Sequence, residues 1–126
     1  IEKLAEGGDG STLSLPRPLH NSMEMNFSFS GLKTAVKREI DSSLPLNEKS
    51  LSNICAAFQA SVIDILKNKL QLAVDYIKEK YAEDINVVLA GGVASNKTIF
   101  AAISELSLRK NFKWSHSCSA IHRYGI

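Results

Sequence analysis

Between about Glu48 and Tyr81 the chain keeps one apolar face without interruption. Leu51, Ile54, Phe58, Val62, Ile65, Leu66, Leu70, Ala73, Val74 and Ile77 recur every three or four residues, the spacing that lines one side of an α-helix. Lys67, Lys69, Asp75, Lys78 and Glu79 fall on the other side. The pattern predicts one long amphipathic helix, with Ser50 or Ser52 as N-cap and Ser61 as the place for a break. In a chain of 126 residues such a helix leaves room for one small domain with one core.

The other elements are short. Ile1, Leu4 and Ala5 have helical spacing and stop at Gly7-Gly8-Asp9-Gly10, so the chain opens as if inside a running helix. That opening leads us to expect a fragment of a longer protein. Ser11–Ser22, with Pro16 and Pro18, reads as loop. Asn26–Ser30 alternates polar and aromatic residues, which suits a strand with Phe27 and Phe29 on one face and Gly31 as its breaker. Leu32, Ala35, Val36 and Ile40 then continue as a helix to about Asp41, and Ser42–Asn47 is a linker. Asn86–Ala90 is apolar without alternation, as in a parallel strand buried on both faces. A helix with Ile99, Ala102, Ile103 and Leu106 comes next, and Phe112 and Trp114 can start another strand. Helix, strand and helix in this order predict an α/β fold.

The run Val87-Val88-Leu89-Ala90-Gly91-Gly92-Val93-Ala94-Ser95-Asn96 is the most informative locally. A parallel strand ends where open α/β sheets bind ligands, and two glycines leave bare backbone against which a flat base can lie. The N–H groups of the next helix would face the same crevice. Spacing alone allows an equal alternative, a tight turn with Asn96 as a plain N-cap. Neither the dinucleotide Gly-x-Gly-x-x-Gly nor a Walker loop around Lys97 is present. Lys33, Lys37 and Arg38 lie on the polar side of the helix after Gly31. They are either a solvated face or contacts for phosphates, which position a nucleic acid without reading bases. His116, Cys118 and His122 cluster in sequence but fit no zinc spacing.

Composition excludes little. The net charge is +2, the pI about 8.6 and the hydrophobic share 44%. That is too weakly basic to argue nucleic-acid binding from bulk charge. No apolar run approaches the roughly 18 residues of a membrane span, so no membrane partner is expected. Cys55 sits in the helical apolar pattern, and two unpatterned cysteines point weakly to a reducing compartment.

At these residues the chain resembles the tRNA N6-adenosine threonylcarbamoyltransferase family, formerly called O-sialoglycoprotein endopeptidases or glycoproteases. Phe27-Ser28-Phe29-Ser30-Gly31-Leu32-Lys33-Thr34-Ala35-Val36 is similar to that family's motif almost letter for letter. Ala56-Ala57-Phe58-Gln59 resembles its Ala-Ser-Phe-Gln, and Ala90-Gly91-Gly92-Val93-Ala94-Ser95-Asn96 its Ala-Gly-Gly-Val-Ala-Ala-Asn. Ile1-Glu2-Lys3-Leu4-Ala5 is similar to the family segment just after its Pro-Gly-Gly-Pro loop. The four blocks cover about residues 1–113.

The resemblance implies part of an actin-like ATPase fold, mostly its second half. It implies transfer of a threonylcarbamoyl group from its adenylate, an ATP-like nucleotide ligand, to the N6 amine of the tRNA adenosine next to the anticodon. It implies that Glu2 meets the nucleotide ribose and that Gly91, Gly92 and Asn96 meet the adenylate. It further implies tRNA and other proteins of the pathway as partners, and a cytoplasmic or alternatively mitochondrial setting. A divalent metal, iron in this family, is implied too. Its ligands are not visible here, because the family's His-x3-His pair has no counterpart and Tyr124 stands where the family carries a metal-binding aspartate. Catalytic residues are therefore unassigned, and this chain alone is expected to be inactive. Residues 114–126 lose both the family pattern and hydrophobic periodicity, which suggests an aberrant, frame-shifted tail that packs poorly from Trp114 onward. The rival reading is a non-catalytic actin-fold binding module or a pseudogene remnant. An endopeptidase is disfavoured, since no protease constellation is visible.

Overall fold

The computed structural model describes residues 1–18, 22–81 and 84–117. Its elements are α1 (Glu2–Ala5), α2 (Ser30–Ser42), α3 (Glu48–Tyr81), β1 (Asn86–Ala90), α4 (Lys97–Lys110) and β2 (Lys113–Ser117). Short 3-10 turns cover Gly10–Thr12 and Gly92–Ser95. The chain forms two compact units, Ile1–Lys69 and Leu70–Ile126, with the division inside α3. No described helix is long and apolar enough to cross a membrane.

In the first unit, α2 packs on α3 through a core of Leu15, Leu32, Ala57 and Ile65. Phe29, Ala35, Val36, Phe58 and Val62 extend it. α3 runs unbroken past Ser61, whose hydroxyl donates to the Ala57 carbonyl at 2.9 Å, one turn back. Its N-cap is neither Ser50 nor Ser52 but Asn47, whose Oδ1 accepts from Ser50 N–H at 2.7 Å. An asparagine three residues upstream reaches that N–H as well as a serine does.

Asn26–Phe29 is not a strand, because no described strand lies beside it to complete a ladder, and α2 already starts at Ser30. Phe27 and Phe29 do share a face, with rings 6.0 Å apart and nearly parallel at 14°. Gly31, expected as a breaker, is the second residue of α2. Lys69, expected on the polar side of α3, is 1% exposed, and its Nζ donates to the Ser22 carbonyl at 3.0 Å. Four residues after Ile65 and seven after Val62, Lys69 lies on the packed side of α3, so its place on the helix rather than its charge decides its burial, and Ser22, in the loop before α2, gives its ammonium a partner. Arg17 holds the same loop with Nε on Asp64 at 2.7 Å and Nη1 on the Leu15 carbonyl at 2.9 Å.

The second unit is a β–α–β unit. β1 and β2 are parallel, with Val87 opposite Trp114 and Leu89 opposite His116. Val74, Ile85, Leu106 and Phe112 form its core, extended by Val87 and Trp114. α4 ends at Asn111, whose φ of 54° is the left-handed cap that asparagine tolerates. Lys113 N–H then donates to the Ile85 carbonyl at 3.1 Å, which sets the strand register.

β1 is not buried on both faces. Val87 and Leu89 are half-buried, whereas Val88 is 67% exposed. Among the described residues nothing covers the second face, so the uniformly apolar strand alternates in burial. Nor does packing fail at Trp114, which sits half-buried in a strand that continues to Ser117. Cys118, His122 and Tyr124 lie outside the described residues.

Candidate functional site

β1 delivers the chain to Gly91 at φ 99°, ψ −175°, a conformation that a side chain strains. A Cβ at Gly91 or Gly92 would meet nothing within 4 Å, so the space over the turn is open. The 3-10 turn closes through Ala94 N–H to the Gly91 carbonyl and Asn96 N–H to the Val93 carbonyl, both 3.1 Å. Ser95 Oγ donates to the Gly92 carbonyl at 2.7 Å. Val93 is 53% exposed beside the bare glycines, and no charged residue occurs between Asn86 and Asn96. The turn thus offers an open, uncharged surface of apolar side chain and peptide, suited to a flat heterocycle.

Asn96 caps α4. Its Oδ1 accepts from Thr98 N–H at 2.9 Å and Ile99 N–H at 3.0 Å. The plain-cap reading is therefore realised in the geometry, and two N–H groups expected to face a ligand are spent on Asn96.

The structure brings Gly91, Gly92 and Asn96 together in the second unit. Glu2, half-buried in α1, belongs to the first. Lys33, Lys37 and Arg38 are exposed on α2 of the first unit, and none makes an ion pair with a described residue. They are not one stripe. Lys33 and Lys37 rim an apolar cavity of 340 Å³ with Val36, Ile40, Ile54 and Phe58. Arg38 borders a separate cavity of 640 Å³ with Ser14, Pro16, Thr34 and Glu39.

The divalent metal implied by the resemblance does not fit the described residues. No group of three His, Cys, Asp or Glu side chains stands close enough to hold one.

Two features escaped the sequence reading. One is the buried Lys69. The other is an aromatic trio in the second unit: Phe100 lies 4.8 Å from Trp114 and 5.0 Å from His116, centroid to centroid. The signal for the trio was available, since residues 114 and 116 share a strand face and Phe100 sits one turn into the helix that crosses back to that strand.

Comparison with known proteins bears on the whole arrangement. A family model described as tRNA N6-adenosine threonylcarbamoyltransferase matches residues 1–116. A protein of that name from Bartonella bacilliformis is 40% identical over 121 residues, covering 90% of this chain and 33% of the relative. Those from Brucella suis and Brucella ovis are each 40% identical over 114 residues, covering 89% of this chain and 32% of their own length. The chain thus spans about a third of the length of the curated relatives it matches. The match takes in the Gly91–Gly92 turn, the Asn96 cap, the basic face of α2 and nearly all of β2, and on that extent the chain belongs to the tRNA N6-adenosine threonylcarbamoyltransferase family.

Proposed function

We propose that this chain supplies the adenylate-facing part of a tRNA N6-adenosine threonylcarbamoyltransferase built on an actin-like ATPase fold. The observation that carries the reading is the open, uncharged Gly91–Gly92 turn between a parallel strand and an Asn96-capped helix, inside a match to that family. In the reaction, the N6 amine of the tRNA adenosine attacks the carbamoyl carbon of threonylcarbamoyl-adenylate. A C–N bond forms, the C–O bond to the phosphate breaks, AMP departs, and the amine proton passes to solvent. The contribution of this chain is binding and orientation: the base lies on the glycine turn and Asn96 fixes its edge, while a ribose contact by Glu2 rests on the resemblance alone. No step is assigned to a metal. Bacterial relatives favour a cytoplasmic over a mitochondrial setting, with tRNA as the macromolecular substrate.

Calorimetry with AMP tests the site. Asn96→Ala is expected to weaken AMP binding by about 1–3 kcal/mol, the cost of stranding a polar partner. It also removes a helix cap worth about 1 kcal/mol of stability. Asn96→Ser separates the two effects, because serine restores the cap but not the amide. AMP affinity equal to wild type in both variants would leave Asn96 as a cap alone.

Lys33, Lys37 and Arg38 of α2 are proposed to meet tRNA phosphates. Neutralising Lys33, Lys37 and Arg38 together should weaken tRNA binding and flatten its salt dependence by about one unit of log–log slope per lost contact. An unchanged slope removes α2 from the interface.

A further inference from the structure

We infer that Phe100, Trp114 and His116 form a stacking platform for an unpaired nucleobase of the RNA strand. The inference rests on the tRNA reading and goes beyond it by naming where a base is held.

Residues recruited only to close a core are buried, and this trio is not. Phe100 is 41% exposed, His116 is exposed, and Trp114 is half-buried with its inner side in the second unit's core. His116 meets the Phe100 ring edge-on at 82°, and Trp114 lies tilted at 58° to the same ring. Trp114 and His116, 6.0 Å apart, are two positions apart on one strand, so their rings share a face of the sheet. What an exposed phenylalanine ring adds is a π-face, on which any base can stack.

The surroundings favour RNA over an apolar partner. Between Asn86 and Ser117 the chain carries Lys97, Arg109, Lys110 and Lys113 against one carboxylate, Glu105, and Lys110 pairs with Asp75 of α3 at 3.6 Å. Lys97 is exposed three residues before Phe100, on the same side of α4. The segment from Asn86 to Ser117 is thus basic on balance. The Gly92–Ser95 turn packs against both β2 and α4, so the platform adjoins the proposed adenylate surface. A base stacked here would belong to the strand whose adenosine is presented to that surface. Single-stranded RNA is held by this pairing of aromatic faces with flanking cations.

Trp114 is the sole tryptophan, so its emission reports on the platform directly. The probe is a fluorescein-labelled RNA stem-loop with an unpaired adenosine in its loop, titrated into the full chain. Anisotropy reads total binding and Trp114 emission reads the platform. Quenching by the stem-loop is expected, with none from a fully paired duplex. Phe100→Leu is expected to weaken stem-loop binding about 5- to 160-fold, the range of one lost base–aromatic stack. Phe100→Tyr, which keeps the π-face, should bind as wild type does, and unchanged far-ultraviolet circular dichroism would show that both variants fold. Stem-loop binding without Trp114 quenching, or equal binding by Phe100→Leu, overturns the platform and leaves the tRNA reading standing. Quenching by AMP with none by the stem-loop assigns the rings to a mononucleotide and overturns the RNA assignment. No stem-loop binding at all overturns the platform together with the tRNA-binding role of this chain.

Discussion

Gly8→Ala is expected to cost more than about 4 kcal/mol, the range reserved for changes the backbone cannot absorb. A Cβ at Gly8 would lie 2.0 Å from the Ser52 carbonyl oxygen, 2.3 Å from its carbon and 2.9 Å from Asn53 nitrogen. All three atoms are α3 backbone, so no side chain can swing aside. The turn after α1 would have to lift from α3 instead. That breaks the Asp9 N–H bond to Asn53 Oδ1 at 2.8 Å and the Lys49 Nζ bond to the Gly7 carbonyl at 3.1 Å. With folding stabilities of roughly 5–15 kcal/mol, such a loss is a large fraction of the whole. Gly7→Ala is the control, because its Cβ would meet only Ser52 Oγ at 3.8 Å. Urea denaturation followed by circular dichroism should show a much lower midpoint for Gly8→Ala and a near wild-type one for Gly7→Ala. Equal midpoints would mean that the approach of this turn to α3 is looser than the structure has it. The effect reaches α1 and Glu2 as well, since α1 depends on this turn for its seat.

Where one residue's chemistry decides the outcome, the sequence was a sound guide. The apolar stripe of α3, the apolar pattern of α2 and the β1–Gly91–Gly92–α4 succession arise from period and from glycine, and the structure reproduces them. It failed where the outcome depends on what a distant segment does. Asn26–Phe29 has strand alternation, but a strand exists only with a neighbour to bond, and none is described there. Val88 has the look of a doubly buried position, yet is exposed because no described layer lies over it. Lys69 carries a charge that suggests the polar side, yet four residues after Ile65 it lies on the packed side of α3, where the Ser22 carbonyl of a distant loop takes its ammonium. For the site, the glycine turn and Asn96 were legible, while the geometry added that the Asn96 oxygen is committed to α4. The aromatic trio was legible in part, since 114 and 116 share a strand face, but the return of α4 that brings Phe100 onto that face is tertiary.

Lys69 is the second position at which a large effect is expected. Its side chain spans from α3 to the Ser22 carbonyl with 1% of its surface exposed. Truncation to alanine removes the buried methylenes and strands the carbonyl. Comparable large-to-small changes cost about 2–5 kcal/mol through lost transfer energy and the cavity left behind. An unpaired buried acceptor adds about 1–3 kcal/mol where it cannot be rehydrated. Lys69→Met keeps the methylenes and removes the ammonium, and replacing a buried charge by an apolar side chain of similar volume is often near neutral. Lys69→Met is therefore expected to lose about 1 kcal/mol, chiefly the hydrogen bond, against the larger loss in Lys69→Ala. The Arg17–Asp64 pair, with side chains 32% and 46% exposed, anchors the other end of the loop and contributes at most about 1 kcal/mol. Because Asp64 and Lys69 grip one loop from one helix, their removal should not add independently. Hydrogen exchange of the Leu13, Ser14, Leu15 and Ser22 amides should quicken in Lys69→Ala while the α3 amides between Ile54 and Ile65 stay protected. Were both sets to quicken together, Lys69 would be holding the helix core rather than the loop. Were neither to change, the covering of this side of α3 would owe nothing to its lysine.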